Sequence, residues 1–143
     1  MLLDRLLYGS EHAGMGDRYL SLLKPWRDMV ALGLTTWAEQ PEPTRSDSHA
    51  WSAHPNFDFL TIVAGVRPKT PGFSTVSIAP HLGQLRSVVS AIPTPKGVVE
   101  VNYASKMSGV HAEINLPSNV AGELVWKGKT FILRAGHQQF LLP

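Results

Sequence analysis

The sequence predicts an α+β fold: N-terminal helices followed by an antiparallel β-sandwich of about seven strands. Two observations predict it. Apolar residues recur at helical spacing ahead of Gly33, and from Phe73 onward they alternate at a period of two. Between these halves lies a punctuated stretch, Gly65-Val66-Arg67-Pro68 and Pro71-Gly72-Phe73, where the period switches.

The first helix follows from Tyr19, Leu22, Leu23, Trp26 and Val30, with Leu20 and Met29 widening the apolar stripe. Pro25 predicts a kink or a restart, because proline suits a first helical turn and disturbs an interior. Gly33 predicts the helix end. Residues 34–54 have no regular period and are rich in Pro, Thr, Ser and Asp. An irregular segment of about twenty residues exceeds ordinary loop lengths and points to function or disorder. Trp37 and Trp51 within it argue against disorder. A second helix is expected from Pro55, with Asp58 in its first turn and a nearly all-apolar run to Val63 that would be buried on most sides.

In the second half, Val76 and Ile78 alternate with Thr75 and Ser77, and Val99, Val101 and Tyr103 alternate with Glu100 and Asn102. Val110, Ala112, Ile114 and Leu116 continue the pattern against His111, Glu113 and Asn115. These are half-buried antiparallel strands. Leu85–Ile92, Leu124–Trp126, Phe131–Leu133 and Phe140–Leu142 bring the count to about seven, a number that closes as a sandwich. Turns are expected at Pro93-Thr94-Pro95-Lys96-Gly97, Lys127-Gly128 and Ala135-Gly136. The domain reading is 1–68 for the helices and loop and 69–143 for the sandwich.

Composition bounds the function. With 43% apolar and 17% charged residues the chain has the means to bury a core. The net charge of +2 comes with no Lys/Arg cluster, which argues against nucleic acid as a partner. No apolar run is long enough for a membrane span, and Met1–Leu7 is too short and too charged for a signal peptide. The absence of cysteine excludes disulfides and thiolate metal sites but leaves localisation open. His49, His54 and Asp47 lack zinc-motif spacing, so no metal and no cofactor are expected.

The chemistry lies in the loop. Gly33-Leu34-Thr35-Thr36-Trp37-Ala38-Glu39 and Pro43-Thr44-Arg45-Ser46-Asp47-Ser48-His49-Ala50-Trp51-Ser52 place a carboxylate and a histidine between two tryptophans. Aromatic faces stack on the apolar face of a pyranose and charged groups hydrogen-bond its hydroxyls, so the set suits a sugar. The plain structural readings are a solvated Glu39, a hydrogen-bonded His49 and tryptophans that only pack. Trp26 is expected in the core, His54 at a helix start, and Trp126 in cross-strand packing. Arg45 is expected to fix the loop through Asp47 or a backbone carbonyl.

Thr35-Thr36-Trp37-Ala38-Glu39 with Ser46-Asp47-Ser48-His49-Ala50-Trp51-Ser52 resembles the last barrel signature of bacterial alpha-L-rhamnosidases. Gly65-Val66-Arg67-Pro68, Pro80-His81-Leu82-Gly83 and Pro93-Thr94-Pro95-Lys96-Gly97 are similar to that family's passage into its C-terminal β domain. The resemblance implies that the helices are the end of an (α/α)6 barrel in an inverting glycoside hydrolase that removes terminal L-rhamnose. It implies Glu39 as general base, His49 as a sugar contact and Trp37 as a wall of the pocket, beside which Trp51 is a further substrate-binding candidate. The family's general acid lies in an upstream segment that nothing in these 143 residues resembles, so the chain alone is expected to be inactive. The alternative is a non-catalytic carbohydrate-binding or structural accessory module. The expected partner is a rhamnose-containing glycan or glycoside. A homo-oligomer or further barrel helices are expected to cover the apolar helical face, since Leu20, Leu23, Trp26, Phe57 and Leu60 cannot all be buried by this chain.

Overall fold

A computed structural model describes residues 16–40 and 42–143. The expectation for Met1–Leu7 falls outside the described residues. The chain forms two compact units, one running to Phe59 and the other Leu60–Pro143.

The first unit is helical. A 3₁₀ turn at Gly16–Arg18 leads into α1 (Tyr19–Leu22), and after a break at Leu23 the helix restarts as α2 (Lys24–Ala31). Pro25 sits in the first turn of α2, where its missing N–H costs nothing. Gly33 ends α2 in a Schellman motif. At φ +81° its N–H bonds to the Val30 carbonyl at 3.0 Å, while Leu34 N–H reaches Met29 at 3.1 Å. The buried stripe is Tyr19, Leu23, Trp26 and Met29. Val30, expected on that stripe, is instead exposed, and the restart at Lys24 turns Met29 inward in its place. Asp58, in α3 (Pro55–Asp58), accepts a hydrogen bond from Tyr19 Oη at 3.2 Å. Leu20 is half-buried and Phe57 exposed, as are Leu32, Trp51 and Phe59.

The run after α3 is wider than an α-helix. Phe59–Val63 is a π-helix with Thr61, Ile62 and Val63 buried, consistent with a segment lacking a polar face. The second unit then builds two four-stranded sheets. The first, in the order β1-β2-β6-β7, comprises β1 (Val66–Pro68), β2 (Thr75–Ile78), β6 (Ala121–Trp126) and β7 (Lys129–Leu133). The second, in the order β3-β4-β5-β8, comprises β3 (Ser87–Thr94), β4 (Gly97–Lys106), β5 (Gly109–Leu116) and β8 (Gly136–Leu142). Val66, Val76, Ile78, Leu124 and Leu133 of one sheet share a core with Val99, Val101, Tyr103, Ile114, Leu116 and Leu142 of the other. That shared core is the sandwich.

Eight strands form where about seven were expected. The additional one is β1, whose Arg67-Pro68 hides the strand signal. It is tolerated because β1 lies at a sheet edge, where a missing N–H breaks no ladder. The pairing is antiparallel except between β2 and β6, which run parallel with Val76 opposite Gly122. Gly122 makes that approach feasible, since a Cβ there would lie 2.3 Å from the Val76 carbonyl oxygen. The third strand was expected from Leu85 but begins at Ser87, because Leu85 closes a turn onto the Leu82 carbonyl. Lys127 and Gly128, both with positive φ, form the two-residue turn joining β6 and β7.

Candidate functional site

The irregular segment after α2 is folded by its own backbone. Glu39 N–H donates to Ser46 O at 2.9 Å and His49 N–H to Trp37 O at 2.8 Å, so residues 36–39 and 46–49 run side by side. Thr36 Oγ1 adds a bond to the Asp47 carbonyl. The tip between them is closed by short-range bonds. Gln40 Nε2 donates to Pro43 O at 3.0 Å, Thr44 N–H to Glu42 Oε2 at 3.1 Å, and Thr44 Oγ1 to Ser46 O at 3.0 Å. The return is anchored to α2, where Trp26 Nε1 donates to the buried Ser52 carbonyl at 2.7 Å.

This folding brings together residues ten positions apart. Glu39 and His49 lie on the two paired segments, each only partly exposed. Trp37 is half-buried beside them in the chain, and its carbonyl holds the His49 backbone. Trp51 is 67% exposed, and the His49 ring meets it edge-on at 6.0 Å between centroids. His54 is held by other partners. Its Nδ1 lies 2.8 Å from the Trp51 carbonyl and its ring abuts Trp26 edge-on, which fixes the entry to α3.

Arg45 does not do what the sequence suggested. Among the described residues it reaches neither Asp47 nor a carbonyl; its guanidinium grips the Glu39 carboxylate in a two-point fork, with Nε donating to Oε2 at 2.8 Å and Nη2 to Oε1. The physical reason is the Glu39–Ser46 backbone bond, which sets residue 45 across from residue 39. The Arg45 hydrogen bonds hold the Glu39 carboxyl below the usual glutamate range, against an opposing push from desolvation, and the Arg45 charge acts in the same lowering direction. Glu39 is therefore ionised at neutral pH, which a proton acceptor requires. The same fork lowers its basicity.

The sandwich has its own concavity. A shallow groove crosses the solvent face of β4 and β5, lined by Glu100, Asn102, Glu113, Asn115 and His137. Its polar groups are largely committed to one another. Asn115 Nδ2 donates to Glu100 at 2.8 Å, while Asn102 and Gln139 donate to Glu113 at 3.3 and 3.2 Å. The sequence shows these residues only as the polar half of an alternating strand pattern.

The model of the bacterial alpha-L-rhamnosidase C-terminal domain matches residues 65–139, just over half of the chain. The chain belongs to that family. An alpha-L-rhamnosidase of Alteromonas sp. (strain LOR) is 30% identical over 105 residues, which is 59% of this chain and 11% of the relative. The alpha-L-rhamnosidase structure from Dictyoglumus thermophilum superposes with a TM-score of 0.85 at 19% identity, covering 99% of this chain and 20% of that one. The Streptomyces avermitilis alpha-L-rhamnosidase complexed with L-rhamnose gives 0.71 at 18% identity, covering 99% and 19%. The chain thus spans between a tenth and a fifth of the length of these rhamnosidases. The superpositions show that the helices and loop, as well as the sandwich, share the fold of a rhamnosidase segment.

Proposed function

We propose that this chain is the C-terminal part of an alpha-L-rhamnosidase-type glycoside hydrolase that removes terminal L-rhamnose with inversion. In this reading residues 1–68 are the end of an (α/α)6 barrel and 69–143 its C-terminal β domain. Glu39 acts as the general base. His49 hydrogen-bonds the sugar, and Trp37 and Trp51 wall the pocket. The observation that carries the reading is the pairing of residues 36–39 with 46–49, which sets an ionised carboxylate beside a histidine and two indoles.

The chemistry follows from an inverting displacement. Glu39 takes a proton from a water, whose oxygen forms the new bond to the anomeric carbon on the face opposite the leaving group. The glycosidic bond breaks as a carboxylic acid, roughly 6.5–9.5 Å from the base in such enzymes, gives its proton to the departing oxygen. That acid belongs to a part of the barrel that these residues do not supply. The exposed Val30, Leu32, Phe57 and Phe59 are where further barrel helices, or a second copy of the chain, would pack.

One observation favours a second reading. The matched family domain begins at residue 65, after the loop, so membership rests on the β half. A non-catalytic carbohydrate-binding or structural module satisfies that membership equally. The experiment is to join this chain to the upstream part of a rhamnosidase, ending where that enzyme's own last barrel helices and base would begin, and assay an aryl alpha-L-rhamnoside. Glu39→Gln should abolish turnover in the joined enzyme and leave L-rhamnose binding largely intact. An active joined enzyme indifferent to Glu39→Gln refutes the assignment of the base.

A further inference from the structure

The Arg45–Glu39 fork has an asymmetry that a simple loop-fixing pair does not need. The Glu39 side chain is only 14% exposed, whereas that of Arg45 is 81% exposed. The guanidinium therefore lies on the solvent side of the carboxylate. Both carboxylate oxygens are engaged, one by Nε and one by Nη2, and this fixes the carboxylate plane as well as its charge. A carboxylate offers about four lone-pair sites, so a two-point fork leaves two for water or a hydroxyl. With its own side chain 81% exposed, Arg45 is the member of the pair that a competing ligand can reach and draw away.

We propose that Arg45 is the positioning residue of Glu39, a guanidinium latch that fixes the carboxylate while the site is empty and is moved by the hydroxyls of an arriving sugar. The proposal rests on the sugar-site reading above and assigns that site a resting state. Arg45 suits the part because its planar fork donates to both oxygens of a carboxylate and can donate in the same way to paired hydroxyl oxygens. A lysine supplies the charge without the fork. Among the described residues, the titratable side chains that act on Glu39 are Arg45 and His49, both from the returning segment. The bonds of the tip to Pro43, Glu42 and Ser46 hold the backbone around Arg45, so its side chain can leave without unfolding the loop.

The test is a carboxyl-carbon NMR titration of Glu39 in the 143-residue chain, for the native sequence, Arg45→Met and Arg45→Lys, each with and without millimolar L-rhamnose. Native Glu39 should titrate below the ordinary glutamate range, Arg45→Met should return it to that range, and Arg45→Lys should fall between. Amide resonances of α2, which lies in the same unit as the loop, report that each variant is folded there. L-Rhamnose should shift the Arg45 Nε–H resonance and raise the native Glu39 midpoint, with no such rise in Arg45→Met. Equal midpoints in the native chain and a folded Arg45→Met overturn the positioning role, whether or not sugar binds. Sugar-induced shifts at His49 that leave Arg45 and the Glu39 midpoint untouched overturn the latch. Unequal midpoints without any response of residues 33–54 to L-rhamnose uphold the positioning role and remove the sugar-site reading instead.

Discussion

Replacing Gly65 with alanine isolates how closely two backbone segments approach at the entrance to the sandwich. Gly65 lies between the π-helix and β1, has φ +75°, and accepts a hydrogen bond from Ala79 N–H at 2.8 Å. A Cβ on it would sit 2.3 Å from the Ala79 carbonyl carbon and 2.4 Å from both Ala79 O and Pro80 N. All three are backbone atoms, so no side-chain rotation relieves the clash. The left-handed conformation alone costs a residue with a Cβ about 1–2 kcal/mol. Moving packed backbone aside adds about 1–3 kcal/mol. The expected loss is therefore about 2–5 kcal/mol. Gly128 is the control, because its φ of +78° is nearly the same and a Cβ there meets nothing within 4 Å. Gly128→Ala should cost only the conformational part, about 1–2 kcal/mol. Both glycines belong to the Leu60–Pro143 unit, so their melting shifts share one scale. For a unit of that size each kcal/mol lowers Tm by about 4–8 °C. Urea and thermal unfolding of both variants, followed by circular dichroism, measure the gap. Equal destabilisation by the two substitutions would show that the close approach at Ala79 carries no energy, and the reasoning would fail.

Trp26→Phe leaves the buried Ser52 carbonyl without its donor and should destabilise the helical unit by about 1–3 kcal/mol, measured by urea unfolding. Acrylamide should quench the exposed Trp51 more strongly than the buried Trp26, and single-tryptophan variants separate the two; equal quenching contradicts the loop packing. Burial, and for Tyr19 also the negative Asp58, raise the phenol pKa values of Tyr19 and Tyr103 above the ordinary value of 10.0. In that window the unfolded phenols ionise and the folded ones do not, so the stabilisation is complete below the ordinary value and lost as pH rises above it. Chemical denaturation across that range should show stability falling, and Tyr103→Phe should flatten the fall. Glu39 has the opposite sign. Its folded pKa is lowered, so its contribution is present above the ordinary glutamate range and lost as pH falls below it. Arg45→Met should reduce that acid dependence in a denaturation series, and an unchanged dependence counts against the fork.

What the sequence determined by itself is what periodicity and punctuation encode. The stripe of Tyr19, Leu23 and Trp26 and the breaks at Pro25 and Gly33 specify a helix, its restart and its end, because each acts through local backbone geometry. The alternation in Val99–Tyr103 and Val110–Leu116 specifies β4, β5 and the faces they bury, because a strand's side chains have a period of two. The loop motif marks Glu39, His49, Trp37 and Trp51 as a candidate set by their chemistry. Only the tertiary structure decided which groups meet. Val66-Arg67-Pro68 becomes a strand because an edge was available for it, and β2 lies parallel to β6 because Gly122 lets the Val76 backbone come close. Arg45 pairs with Glu39 rather than Asp47 because two backbone hydrogen bonds fold the loop on itself. Such pairings depend on distances across the fold, and no local propensity of the chain records them.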